Sequence, residues 1–176
     1  MKNLIVYGSK YGSSRKYAEK LSELTGIYLA DYKEVTDLKA YDNVIYLGGI
    51  YAGKVRGLKK TAKKLRNDAR LIVVTVSLGN PNLDDKLKED VRTQNKKLIK
   101  KPLLEKIKFF HLVGSMDYPN LKGFDKKIIK FVFKMFLKKD PQNQKIIDVY
   151  NGKVDELDYS SLDKIVSYLE EKEIIK

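Results

Sequence analysis

Short apolar runs that end at glycine alternate along this chain with stretches of helical period. Leu4-Ile5-Val6-Tyr7 runs into Gly8 and reads as a strand buried on both faces. Residues 14–24 place Tyr17, Ala18, Leu21 and Leu24 on one helical face, and Thr25-Gly26 closes that helix. Residues 27–31 form a second, poorer strand. Val44-Ile45-Tyr46-Leu47, ending at Gly48-Gly49, is the third. A basic helix is expected over 55–65, with Leu58, Ala62 and Leu65 on one face. The β-branched run 71–76 is the fourth strand. A helix over 84–100 has Leu87, Val91, Leu98 and Ile99 as its apolar positions. Residues 109–113, ending at Gly114, are the fifth strand. Ser160 or Ser161 can cap a last helix carrying Leu162, Ile165, Val166 and Leu169.

Five such strands separated mainly by helices predict an α/β fold, a five-stranded parallel sheet with helices on both faces. The connection between strands two and three is short for a crossover helix, which is expected to be reduced or absent. In such sheets ligands bind beyond the carboxyl ends of the strands, at the topological switch point. The segment 116–150 departs from simple alternation and holds its own helix candidate, 124–139. It is too short to bury a core of its own, so it is read as a basic helical insertion after strand five, within a single domain spanning 1–176.

Chemistry enters at the first loop. Gly8-Ser9-Lys10-Tyr11-Gly12-Ser13-Ser14-Arg15 leads from strand one straight into a helix. A phosphate there would meet backbone N–H groups at the positive end of the helix. Ser9, Ser13 and Ser14 would add hydroxyl donors, Gly8 and Gly12 allow tight turns, and Lys10 or Arg15 would supply charge. The run lacks the third glycine of the dinucleotide fingerprint and the Gly-Lys-Ser ending of the nucleoside triphosphate loop. The plainer reading is a strand-to-helix turn with Ser14 as its cap.

The loop and its placement resemble the flavodoxin family, whose phosphate loop is a hydroxyl-and-glycine run. Ser9, Gly12, Ser13 and Ser14 sit on that pattern; Tyr11 stands where the family usually has Thr, and Arg15 where many members have Glu. Four stretches are more similar to the flavodoxin-like, menaquinone-dependent protoporphyrinogen oxidases. They are "SKYGSSR", "YDNVIYLGGIYAGK" from Tyr41, "VSLGNPN" after strand four, and "VGSMDYPNLKGFDKKIIKFVFKM" from Val113 to Met135. The fourth is the most specific, and its inserted position matches that family's insertion. The resemblance implies a flavodoxin-like sheet of order 2-1-3-4-5 and flavin mononucleotide (FMN) as cofactor. Ser9, Lys10, Tyr11, Gly12, Ser13 and Ser14 would surround the phosphate. Ile50, Tyr51, Ala52 and Gly53 would line the isoalloxazine ring, with Tyr51 as a stacking candidate, and Ser77, Leu78, Gly79 and Asn80 would approach its other side. It further implies electron transfer from protoporphyrinogen IX to a quinone, a step of heme biosynthesis.

Composition narrows the alternatives. The 176 residues suit one domain, and the absence of cysteine excludes disulfides, thiolate catalysis and cysteine-ligated metal. That fits a reducing cytosol, and with a strand from Asn3 no signal peptide is expected. No His, Asp or Glu cluster has metal-ligand spacing. His111, the single histidine, lies in an apolar strand and reads as a packed, hydrogen-bonded side chain; no catalytic acid or base is assigned. The net charge is +13, the wrong sign for an acidic flavodoxin carrier docking on basic partners. Residues 122–145 hold eight lysines and two aspartates, with Phe124, Ile128, Phe131, Val132, Met135 and Phe136 among them and Phe133 and Leu137 widening the apolar surface. Such a basic amphipathic helix, 122–139, can lie on an anionic membrane, which would make a cytoplasmic protein peripheral on the inner face of the cell membrane. The lysines, with Lys54 and Lys122, could instead attract the carboxylates of a porphyrinogen. Three functions stay open: an FMN-dependent oxidoreductase, a flavodoxin-type electron carrier without a small-molecule substrate, and a flavin-less basic binding module. No nucleic-acid motif accompanies the lysines, so nucleic acid is not the expected partner.

Overall fold

The computed structural model describes residues 1–51, 53–78, 85–116, 118–139, 141–142, 144, 147–148, 151–152 and 157–176, apart from the side chains of Leu87, Phe136 and Lys139. The expectations for Leu87 and Phe136 therefore lie outside the described residues. The chain forms two compact units, Met1–Gly114 with Asp158–Lys176, and Ser115–Leu157.

The first unit is built on a parallel sheet. β1 (Asn3–Gly8) pairs with β2 (Leu29–Asp31) on one side and β3 (Asn43–Tyr51) on the other. β5 (Arg70–Ser77) and β6 (Lys108–Val113) extend it beyond β3, and the short β4 (Lys54–Val55) turns back antiparallel onto the end of β3. The order β2-β1-β3-β5-β6 is the expected 2-1-3-4-5 for the five parallel strands. No helix occupies residues 32–42, between β2 and β3, as the short connection implied.

The two-residue period of the strands divides the core. Leu4, Val6, Val44, Tyr46, Leu71, Val73 and Phe109 pack with Leu58 and Ala62 of α2 (Leu58–Lys64) and Leu103 of α4 (Lys101–Leu104). The alternate positions Ile5, Ile45, Leu47, Ile72 and Val74 are fully buried on the other face. That side is served by α1 (Ser13–Thr25), which buries Tyr17, Ala18 and Leu21, and by α6 (Asp163–Glu171), which buries Ile165 and Leu169.

Three helix boundaries differ from expectation. The face of the 55–65 helix is right, but its start is displaced: residues 54–55 join the hairpin, and α2 begins after Gly57, whose φ of 80° is left-handed. The expected helix over 84–100 is divided. α3 (Asp85–Lys96) stops before a turn, and α4 restarts with Pro102 in its first turn, where the missing N–H costs nothing. At the last helix Asp158, rather than a serine, makes the cap. It accepts from the Ser160 N–H at 3.0 Å and opens a 3₁₀ turn, Tyr159–Leu162, that leads into α6. A carboxylate outcompetes a hydroxyl as acceptor at a helix start.

The second unit is carried by α5 (Gly123–Lys139), whose Phe133 packs on Tyr118 with ring centroids 5.2 Å apart. No helix among the described residues is long and apolar enough to cross a membrane.

His111 is indeed a packed strand histidine, 7% exposed, and its Nδ1 shares a 2.6 Å hydrogen bond with the Thr75 hydroxyl. Burial, reinforced by the positive charges of Arg92 and Lys88, lowers its pKa from 6.5 to about 4. The native state thus takes up its proton later than the unfolded chain. Its contribution is complete above the unfolded pKa and is lost as pH falls from about 6.5 toward about 4. Urea midpoints across that window should report a loss of roughly 1–2 kcal/mol, and His111→Gln should flatten that part of the curve.

Candidate functional site

The parallel register brings the strand ends into line. Gly8 lies opposite Gly48, Gly49 opposite Val76, and Ser77 opposite Val113; the Gly114 N–H then donates to the Ser77 carbonyl at 2.7 Å. The connections leave β1 in opposite directions, to β2 on one side and β3 on the other. The loop after β1 is therefore at the switch point of the sheet.

That loop, Ser9 to Gly12, is half-buried and ends in an unusual helix start. Gly12 is the N-cap of α1, with φ 96° and ψ −36°, and no side chain caps the helix. A residue with a Cβ is strained there, which explains glycine at this position. The Gly12 N–H donates to Ser9 Oγ at 3.1 Å, folding the loop over the helix start. Ser14 is not the cap that the plainer reading required. Ser13 and Ser14 lie inside α1 and are buried, 9% and 3% exposed. The first N–H groups of α1 have no carbonyl one turn behind them, so they and the helix dipole face the loop with positive potential.

The strand-end glycines let this helix start sit deep. A Cβ on Gly49 would lie 3.4 Å from Ser14 Oγ, and one on Gly114 would lie 3.4 Å from Ser13 Oγ and 2.9 Å from Val76 Cγ1. Tyr17 anchors the same helix, its hydroxyl donating to the Val113 carbonyl at 2.8 Å.

Ile50, Tyr51 and Gly53 belong to a hairpin rather than an open loop. β3 continues past Gly48-Gly49, and Ile50 pairs with Val55 and Tyr51 with Lys54. Ile50 is half-buried on the core, while Gly53 makes the turn with φ 76°. Lys10 joins this hairpin to the β1–α1 loop: its Nζ is 4.2 Å from the Tyr51 ring centroid and 5.5 Å from that of Tyr11. Cation–π contact at this range is favourable by roughly 0.5–1 kcal/mol. Arg15 plays no such part, because its Nε donates to Glu19 Oε1 at 2.7 Å along the surface of α1. Ser77 and Leu78, half-buried, lie at the end of β5. The carboxyl ends of β1, β3 and β5 thus lie at one edge of the sheet. Ala52, Gly79 and Asn80 lie outside the described residues.

Asn95 is a residue that the sequence reading missed. It is fully buried on α3, accepts from the Val55 N–H at 2.8 Å, and donates to the carbonyls of Val91 at 2.8 Å and Gly53 at 3.4 Å. It holds the hairpin that carries Tyr51. The signal was present: Asn95 follows Val91 by four residues, in phase with the helix's apolar positions, where a polar side chain needs a buried partner.

A family model described as a flavodoxin domain matches residues 4–145, and the chain belongs to that family. Among solved structures it is similar to a flavoprotein in complex with FMN from Lactobacillus acidophilus, at 14% identity, with 64% of this chain and 91% of that one covered and a TM-score of 0.43. Smu.1420 from Streptococcus mutans is 13% identical over 86% of this chain and 100% of its own, with a TM-score of 0.47. The Trp repressor binding protein from Bacillus subtilis is 11% identical over 85% and 95%, with a TM-score of 0.43. No curated protein matches the chain.

Removing the Asn95 amide strands the Val55 N–H in the interior. Asn95→Ala should lower unfolding free energy by roughly 1–3 kcal/mol in urea titration. Leu98→Ala, one turn along from Asn95, has no such hydrogen bond to lose and serves as the control.

Proposed function

We propose that this chain binds FMN at the β1–α1 loop and is an FMN-dependent oxidoreductase, taking electrons from protoporphyrinogen IX and passing them to a quinone. The observation that carries the cofactor is the uncapped start of α1. Its N–H groups lie behind a glycine at positive φ and beside buried serines, at the switch point of the sheet. These residues fit a phosphomonoester. The backbone at Gly12, Ser13 and Ser14 and the hydroxyl of Ser9 would hold the phosphate, and Lys10 would offset its charge. Tyr51 offers a flat face for the isoalloxazine ring, and Ser77 and Leu78 would flank the other side. FMN when bound supplies the redox chemistry, repeated two-electron oxidation of the porphyrinogen with reduction of quinone to quinol. The protein supplies position and charge. Membership of the flavodoxin-domain family supports the cofactor.

The substrate reading is supported by the inserted run from Val113 to Met135 and by charge. The chain is +13, and the exposed Lys54 lies directly across the hairpin from Tyr51, where it can meet a carboxylate of a substrate placed against the ring.

Two measurements test this in order. Protein incubated with FMN and freed of excess ligand should show flavin absorption bands at about one flavin per chain. Gly12→Ala, which strains the phosphate loop, should weaken retention at least tenfold. A protein that retains no FMN defeats the assignment. Anaerobic turnover of protoporphyrinogen IX with menaquinone should then be steady. Lys54→Glu should raise KM several-fold with kcat nearly unchanged, since it alters attraction and not the electron transfer. Stoichiometric flavin without turnover would make the chain an electron carrier instead.

A further inference from the structure

The unit Ser115–Leu157 exposes a stripe of large apolar side chains on one side of α5. Ile129 and Phe133 are buried, 7% and 1% exposed, and Lys126 donates to the Pro119 carbonyl at 2.8 Å; these residues mark the packed side of the helix. On the other side Phe124 is 76%, Phe131 65% and Met135 52% exposed. Spacings of seven and four residues at 100° per residue put these three within an arc of about 40°, roughly opposite Ile129 and Phe133. One flank of the stripe is wholly basic, with Lys127, Lys130, Lys134 and Lys138 all exposed. The other flank is half-buried Ile128 and Val132. Asp125 is the only acidic residue in α5.

Scattered surface apolar residues need no cover, but a continuous row of two phenylalanines and a methionine does. The lysines select what covers it. A second copy packed antiparallel on the same face would bring two basic flanks together, which like-charge repulsion disfavours, and a parallel pair would leave both lysine rows without a counter-charge. An anionic surface with an apolar interior satisfies both halves of the pattern. We propose that this face of α5 lies in the headgroup region of an anionic bilayer, parallel to its plane. Phe124, Phe131 and Met135 reach the acyl boundary and the four flanking lysines meet lipid phosphates. The sequence pattern named Ile128 and Val132 as equal parts of the apolar surface. Burial instead singles out Phe124, Phe131 and Met135 as the inserting residues, with Phe133 withdrawn into the unit.

The inference does not rest on the flavin assignment, and its test contains no flavin, porphyrin or quinone. The full chain is sedimented with vesicles of phosphatidylcholine alone and of phosphatidylcholine with about one-third phosphatidylglycerol. It should pellet with the anionic vesicles, stay in solution with the neutral ones, and be released by high salt. Each lysine at such a surface is worth roughly a fivefold change in partition, so Lys127→Glu combined with Lys134→Glu should lower binding at least tenfold. Phe131→Ser combined with Met135→Ser should do the same at unchanged charge. Circular dichroism and urea midpoints like those of the parent show that each variant is folded. The lysine pair, wholly on the exposed flank, keeps the test open should the serine pair fail to fold. Failure to pellet, equal binding to neutral vesicles, or full binding by both variants each overturns the proposal. A concentration-dependent dimer in sedimentation velocity, abolished by Phe131→Ser and unaccompanied by vesicle binding, would assign the face to a second copy.

Discussion

The carbonyl of Arg56 organises the carboxyl end of the sheet. It accepts the hydroxyl of Tyr46, the large buried side chain at the centre of β3, and it lies directly over Gly8 and Gly48. A Cβ on Gly8 or Gly48 would collide with that carbonyl, with Tyr46 or with Val55. The chain that leaves β3 is therefore drawn tightly back across the ends of β1 and β3, which is possible only because both strands end in residues without side chains. The hairpin at Tyr51, the left-handed turn at Gly57 and the start of α2 all follow from that close approach.

The same constraint gives the candidate site two fixed walls with an adaptable side chain between them. The hairpin wall is pinned by Asn95 from behind, with its hydrogen bonds closed in the interior where an unmade bond is costly. The α1 wall is pinned by Tyr17 at the end of β6 and by serines seated under Gly49 and Gly114. Between the walls the adaptable element is Lys10, a long cationic side chain resting on Tyr51. A ligand carrying both a phosphate and a flat ring can draw on its charge and displace it from the aromatic face. His111, although in the same sheet, contributes nothing of that kind, since burial and two nearby cations keep it neutral.

The two units use apolar residues in opposite ways. In the sheet unit most apolar positions of strands and helices close on one another, although Leu24, expected on the apolar face of α1, is 50% exposed at its end. In Ser115–Leu157 the helix buries one side and presents aromatic and methionine side chains beside lysines on the other. The first arrangement is that of a stable scaffold, and the second that of a surface shaped to meet something else.

The strands themselves, the absence of a helix between β2 and β3, and the glycine-rich turn from β1 into α1 were legible in one dimension, because they follow from periodicity and from glycines at strand ends, whereas the strand order came from the resemblance to flavodoxins. The packed histidine was legible for the same reason, being flanked by apolar neighbours in a strand. The three altered helix boundaries were not. Val55 reads as well in a helix as in a hairpin until Asn95, forty residues away, takes its N–H, and Asp158 displaces Ser160 as cap through a local competition between acceptors. The role of Arg15 against Lys10 also needed three dimensions. Both are cations beside the loop, and their separation depends on Glu19 being one turn along α1 and on Tyr51 arriving from another strand. Likewise, the pattern of α5 announced an amphipathic helix, but which of its aromatics face inward depended on Tyr118, whose approach no local spacing encodes. Local periodicity records which residues avoid water; which partner they meet instead is set by contacts between segments far apart in the chain.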